Sequence, residues 1–155
     1  MATSLEIAVP ALCAWRENRA GQKVGMQSVL NVLQNRALKN NTSLYAEAVK
    51  PEQFTSISPP PNMAAKNSEA DVWPQEGDAL YITAEQMVGQ ALESTLPDIT
   101  QGATLYYNPS GIGETANKFT LPGGGIVDFP DGWNENAVAF TVEIAQQLFF
   151  REVSS

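Results

Sequence analysis

The chain contains no histidine and a single cysteine, Cys13. One cysteine excludes an intramolecular disulfide, and the lack of histidine removes His/Cys metal sites and Ser-His-Asp triads. Lysine and arginine are also scarce, nine against seventeen aspartates and glutamates, for a formal charge of −8. Binding phosphates takes clustered cations, so nucleic acid is not an expected partner. Long apolar runs are missing as well. The opening stretch MATSLEIAVPALCAWREN has no basic leader, and Glu6 and Pro10 interrupt its apolar residues. It therefore reads as neither a secretory signal nor a membrane span, and the expectation is a protein made soluble in the cytoplasm with no membrane partner.

What is present suits a folded globule: 43% hydrophobic residues, with three Trp, four Tyr and six Phe among 155 residues. The length fits one domain over 1–155. Leu5, Ala8, Leu12 and Trp15 recur at helical spacing after Ser4, a good N-cap, and predict a helix to about Arg19 despite Pro10. Gly21 and Gly25 bracket a polar break before the apolar stripe Met26, Val29, Leu30, Leu33 and Ala37, which ends at Asn40-Asn41. A short helix is expected over Ser43–Val49. Pro51 begins a loop into Pro59-Pro60-Pro61, and the chain is expected to stay irregular up to Pro74. Thr83 and Gln86 suggest a capping box for a helix ending before Pro97. Ala103–Tyr107 reads as a strand, Gly111–Gly125 as a glycine-rich connection, and Ala137–Ile144 with Leu148–Val153 as a C-terminal hairpin or bent strand. The expected fold is α+β, mainly helical with a small C-terminal β element.

Cleaving a glycosidic bond requires a neutral carboxylic acid beside the leaving oxygen, and a Glu near a helix end facing an apolar cleft can fill that role. Glu17 has such a place. Read in isolation, one Glu between Arg16 and Arg19 is ordinarily a solvated ion-pairing face.

Five ordered blocks sharpen the reading. WRENRAG runs on through Gly25 to Asn35-Arg36, Pro51-Glu52-Gln53-Phe54-Thr55 follows a short helix, Gly102-Ala103-Thr104-Leu105-Tyr106 precedes Tyr107-Asn108-Pro109, and Phe149-Phe150-Arg151 lies in the final expected strand. In order and spacing these blocks resemble the SleB-type cell wall hydrolases, the spore cortex-lytic family with bacteriophage relatives. Arg16 stands where that family has Gly, Gly21 where it has a second acid, and Ala145-Gln146-Gln147 where it has Gly-Asn-His.

The resemblance implies a lysozyme-like α+β fold of lytic transglycosylase type, acting on peptidoglycan glycan strands between N-acetylmuramic acid and N-acetylglucosamine, with no metal and no cofactor. Glu17 would protonate the leaving oxygen, then take the proton of the muramoyl 6-hydroxyl as a 1,6-anhydro ring closes. Gln53, Thr55 and Ser56 would offer polar groups to the sugars, and Tyr106 or Tyr107 an aromatic wall. Adjacent strand residues face opposite ways, which favours Tyr106 alone. A conventional glycosidase would need a second carboxylate, for which Glu47, Glu52 and Asp71 are candidates, each otherwise an exposed acid. Asn35 and Arg36 are expected to hold adjacent loops. Trp73, Trp133 and Gly123-Gly124-Gly125 are read as packing aromatics and a tight turn. The expected setting is a phage endolysin or virion-borne lysin, made in the host cytoplasm and acting in the periplasm or cell wall. The alternatives are a muramidase using water at the same bond and a non-catalytic glycan-binding or structural part of a phage particle.

Overall fold

A computed structural model describes residues 3–51, 53–54, 56–58 and 68–153. It is a mixed α+β structure in which helix outweighs strand. Where the sequence reads as one domain over 1–155, the chain clusters into two compact units, 1–99 and 100–155, the first helical and the second built mainly of strands.

In the helical unit, α1 spans Ser4–Asn18. Thr3 rather than Ser4 caps it: the Thr3 hydroxyl accepts from the Glu6 N–H while the Glu6 carboxylate accepts from the Thr3 N–H. The Glu three residues on selects the cap. The helix passes through Pro10. The missing proline N–H would have bonded the carbonyl of Glu6, an exposed first-turn residue within reach of water.

After a 3₁₀ turn over Arg19–Gly21, α2 spans Gln22–Asn40 and stops at Asn41, which takes the left-handed conformation. The expected break at Gly25 is absent, because Gly25 is buried inside the helix against the end of α1. Then α3, Leu44–Val49, starts behind the Ser43 hydroxyl, which accepts from the Ala46 N–H. The last helix of the unit, α4, covers Ala79–Leu92. Its cap is Asp78, whose carboxylate accepts from the Tyr81 N–H at 2.9 Å, so Thr83 lies within the helix and caps nothing. The Trp15 indole N–H reaches the same Asp78 oxygen at 3.3 Å.

α1 packs against α2, α3 and α4. Ala11 and Ala14 of α1, Met26, Val29, Leu30 and Leu33 of α2, and Met87 and Val88 of α4 are fully or almost fully buried. Each large side chain among them contributes roughly 1.5–3 kcal/mol. One stripe of α2 is polar: Gln27 donates to the Pro97 carbonyl, Asn31 donates to the same carbonyl and accepts from the Ile99 N–H, and Asn35 donates to Asp98. Residues one turn apart thus hold the segment after α4 on the helix.

In the second unit, β1 (Leu105–Tyr107), β4 (Val138–Ile144) and β5 (Gln147–Glu152) form an antiparallel sheet in the order β1-β5-β4. The register pairs Tyr106 with Phe149 and Ile144 with Gln147, and a bulge lies between Phe140 and Val142. In and around the segment read as a glycine-rich connection lie a short helix α5, Pro109–Ile112, and a hairpin of β2 (Lys118–Thr120) and β3 (Ile126–Asp128). Gly123 and Gly124 turn that hairpin at φ 101 and 102, where a side chain would be strained. Tyr107, Phe129, Leu148 and Phe150 form the core of the unit, with Phe119, Trp133 and Phe140 against it.

Candidate functional site

Glu17 is the penultimate residue of α1 and is half-buried. One turn back on the same face, Cys13 is fully buried. Burial pushes the Cys13 thiol well above its ordinary range, and the negative charge of Glu17 adds to this while Arg36 and Arg16 oppose it. Cys13 thus feels both Glu17 and Arg36, in keeping with the packing of α1 against α2, and the last turns of the two helices share an electrostatic neighbourhood around it.

Arg36 carries that neighbourhood to the next segment. Its Nη1 donates to Gln53 Oε1 at 3.3 Å, and its guanidinium lies 5.0 Å from the centre of the Phe54 ring. Phe54 is buried, so it anchors the loop, while Gln53 is exposed. Asn35 and Arg36 thus do what their helical position suggested: one ties down Asp98, the other the Gln53–Phe54 loop.

The two arginines beside Glu17 reach distant backbone and side chains. Arg16, 7% exposed, donates from Nε to the Val72 carbonyl at 2.9 Å and from Nη1 to the Ser56 carbonyl at 2.8 Å. Its guanidinium stands 4.5 Å from the centre of the Trp73 ring. Its buried Nη2 finds no hydrogen-bond partner among the described residues. Desolvation lowers its pKa, and the charges of Glu69 and Asp71 act in the opposite sense. Arg19 makes a two-pronged bond to Glu69, at 2.6 and 3.1 Å, and lies over the Trp15 ring at 4.2 Å. Such a fork fixes geometry more than it adds stability at a partly exposed site. The isolated reading of this stretch as a solvated ion-pairing face therefore fails for Arg16, which is a buried clasp.

Two expected sugar contacts need correction. Ser56 is buried, and its hydroxyl is turned inward without a hydrogen-bond partner among the described residues. The Arg16 bond to its carbonyl draws this residue into the unit. Tyr107 is no aromatic wall: it is buried in the core of the second unit, and its hydroxyl donates to the Asp128 carbonyl at 2.6 Å. Burial pushes that phenol up to about 12, with the Asp128 charge adding to it. Tyr106, on the opposite strand face, is half-buried and stacks on Phe149 with centroids 5.4 Å apart. Thr55 lies outside the described residues.

Of the three further carboxylates, Asp71 is exposed and Glu52 lies outside the described residues. Glu47 is not the exposed acid expected of it. It is 1% exposed and accepts from the Thr42 hydroxyl, the Asn40 amide and Lys50 Nζ. Desolvation acts to raise its pKa, but these donors outweigh it and hold the carboxyl below its ordinary value. A carboxylate so fully engaged is a structural staple. Elsewhere in the helical unit a cavity of about 590 Å³ is lined by residues such as Asn35, Leu38, Thr42, Leu92 and Asp98, and by none of the residues expected to touch sugar.

Trp133 packs into the aromatic core, but Trp73 is 65% exposed and does not pack as expected. Among the described residues no group of three His, Cys, Asp or Glu is placed to hold a metal ion, and no helix is long and apolar enough to cross a membrane. At the end of α1 the half-buried carboxyl of Glu17 thus directly follows the buried guanidinium of Arg16. No protein-family model, curated protein or solved structure matches the chain.

Proposed function

We propose that this chain is a lysozyme-like lytic transglycosylase that cleaves the bond between N-acetylmuramic acid and N-acetylglucosamine in peptidoglycan, with Glu17 as both acid and base. The observation that carries the reading is that Arg36 holds the Gln53–Phe54 loop, 17 and 18 residues on, while α2, which bears Arg36, packs against α1, which bears Glu17. These are the blocks whose order resembles the cell wall hydrolases. Glu17 in its acid form donates to the bridging oxygen as the glycosidic bond breaks. The resulting carboxylate takes the proton of the 6-hydroxyl while that oxygen closes the anhydro ring, so no water is consumed. The reaction needs no second carboxylate, in keeping with the structural engagement of Glu47. Gln53 supplies an exposed amide for sugar acetamides and hydroxyls.

The setting proposed is a bacteriophage lysin, made in the host cytoplasm and acting on the wall from the periplasm or from the virion. Clearing of purified sacculi by wild type and Glu17→Gln, side by side, tests the reading. Loss of clearing in the variant supports it. Equal behaviour of the two proteins sinks it in favour of a binding or structural role.

A further inference from the structure

An exposed tryptophan is a poor use of a large apolar side chain unless something holds it there and something else covers it. Trp73 is 65% exposed, while Trp15 is 4% exposed and Trp133 is packed among aromatic rings. Yet Trp73 is held in place. The Arg16 guanidinium lies 4.5 Å from its ring centre, and that guanidinium is itself fixed by the carbonyls of Val72, next to Trp73, and of Ser56. A buried cation on one face of the indole immobilises the ring without the rotamer cost a ligand would otherwise bear. At 65% exposure of the residue, much of the indole surface not held against Arg16 stays in solvent. Arg16 immediately precedes Glu17 on α1, so one residue links this platform to the proposed acid.

The occupant follows from the chemistry of that surface. The exposed π surface carries partial negative charge and accepts the weakly positive C–H bonds lining one side of a pyranose. We propose that Trp73 is a stacking platform for a sugar ring of the glycan strand, an inference that rests on the proposed reading of Glu17 as the cleaving residue. Arg16 is then a positioning residue for the platform, and the departure from Gly at that position supplies the clasp.

The test uses the full chain in a Glu17→Gln background, so that binding is measured without turnover, with purified sacculi and with N-acetylglucosamine tetrasaccharide as probes. Adding Trp73→Ala is expected to weaken binding to both about tenfold, the usual cost of truncating an aromatic anchor. Trp73→Tyr is expected to restore most of the affinity. The tetrasaccharide should also shield tryptophan emission from acrylamide in the parent, and this shielding should vanish in Trp73→Phe. Unchanged affinity in Trp73→Ala, with or without a lower melting temperature, overturns the proposal and leaves Trp73 as a cover for Arg16. Failure of the parent to bind either probe overturns it as well. Lysis by Glu17→Gln would instead refute the reading of Glu17, so the two failures are told apart.

Discussion

A glycine inside a helix ordinarily weakens it, and replacing it by alanine gains up to about 1 kcal/mol. Gly25 should do the reverse. A Cβ built there would stand 2.8 Å from the Asn18 backbone oxygen, 2.8 Å from the Asn18 side-chain nitrogen and 2.9 Å from Cγ. The side chain can swing aside, but the carbonyl belongs to the last residue of α1 and moves only if the helix end moves with it. Overpacking of this kind costs roughly 1–3 kcal/mol, which exceeds the propensity gain. Gly25→Ala is therefore expected to destabilise the protein by about 1–2 kcal/mol, lowering the melting temperature by roughly 2–4 °C for each kcal/mol. Gly89 is the internal control. It lies within α4 with nothing within 4 Å of a built Cβ, so Gly89→Ala should stabilise by about 0.5–1 kcal/mol. Asn18 follows Glu17 directly, so Gly25→Ala should also depress sacculus clearing at temperatures where the fold is intact. The measurements are urea unfolding and clearing rate for both variants. Gly25→Ala as stable as wild type, or more so, would refute the close approach of α2 to the end of α1.

Two further predictions concern the buried carboxylate and the loop anchor. Glu47 has a folded pKa held below its ordinary 4.5, so its stabilisation is complete above that value and is lost as pH falls below it through the depressed folded value. Glu47→Gln should lower stability by about 1–3 kcal/mol near pH 7 and flatten the acid fall in urea midpoint; a variant with the wild-type acid profile contradicts this. Arg36→Met should release the Gln53–Phe54 loop and cut clearing by on the order of tenfold to a hundredfold. Circular dichroism should meanwhile show an intact helical fold, and unimpaired clearing would count against Arg36 as the organiser of the site.

Much of the helical unit is legible in the residues. The stripe from Met26 to Leu33 and the short segment Ser43–Val49 are local signals that find both helices, although α2 starts earlier than the stripe, at Gln22, and Ser43 is the cap of α3 rather than its first residue. Thr3 and Asp78 outcompete Ser4 and Thr83 as caps, and either choice satisfies the sequence pattern until the chain's path is known. The hairpin β2–β3 is hidden because its strands are three residues each, too short for alternation to show beside three consecutive glycines. At the site, the position of Glu17 near a helix end is readable. The direction of its neighbours is not: Arg16 finds Ser56 and Val72 at separations of 40 and 56 residues, and Arg19 finds Glu69 at 50. Burial of Ser56 and Glu47 arises from the same long-range packing, and an expectation built on residue type alone leaves both in solvent, whereas the burial of Tyr107 opposite Tyr106 follows from strand alternation.

Mass analysis of soluble fragments released from sacculi by the purified protein tests the central claim most directly. If Glu17 acts as acid and then as base on the 6-hydroxyl, the products are anhydro-muropeptides, lighter by one water than their reducing-end counterparts, and Glu17→Gln releases none. Reducing-end fragments would show that water attacks instead, and fragments released equally by the variant would show that Glu17 does not carry the reaction.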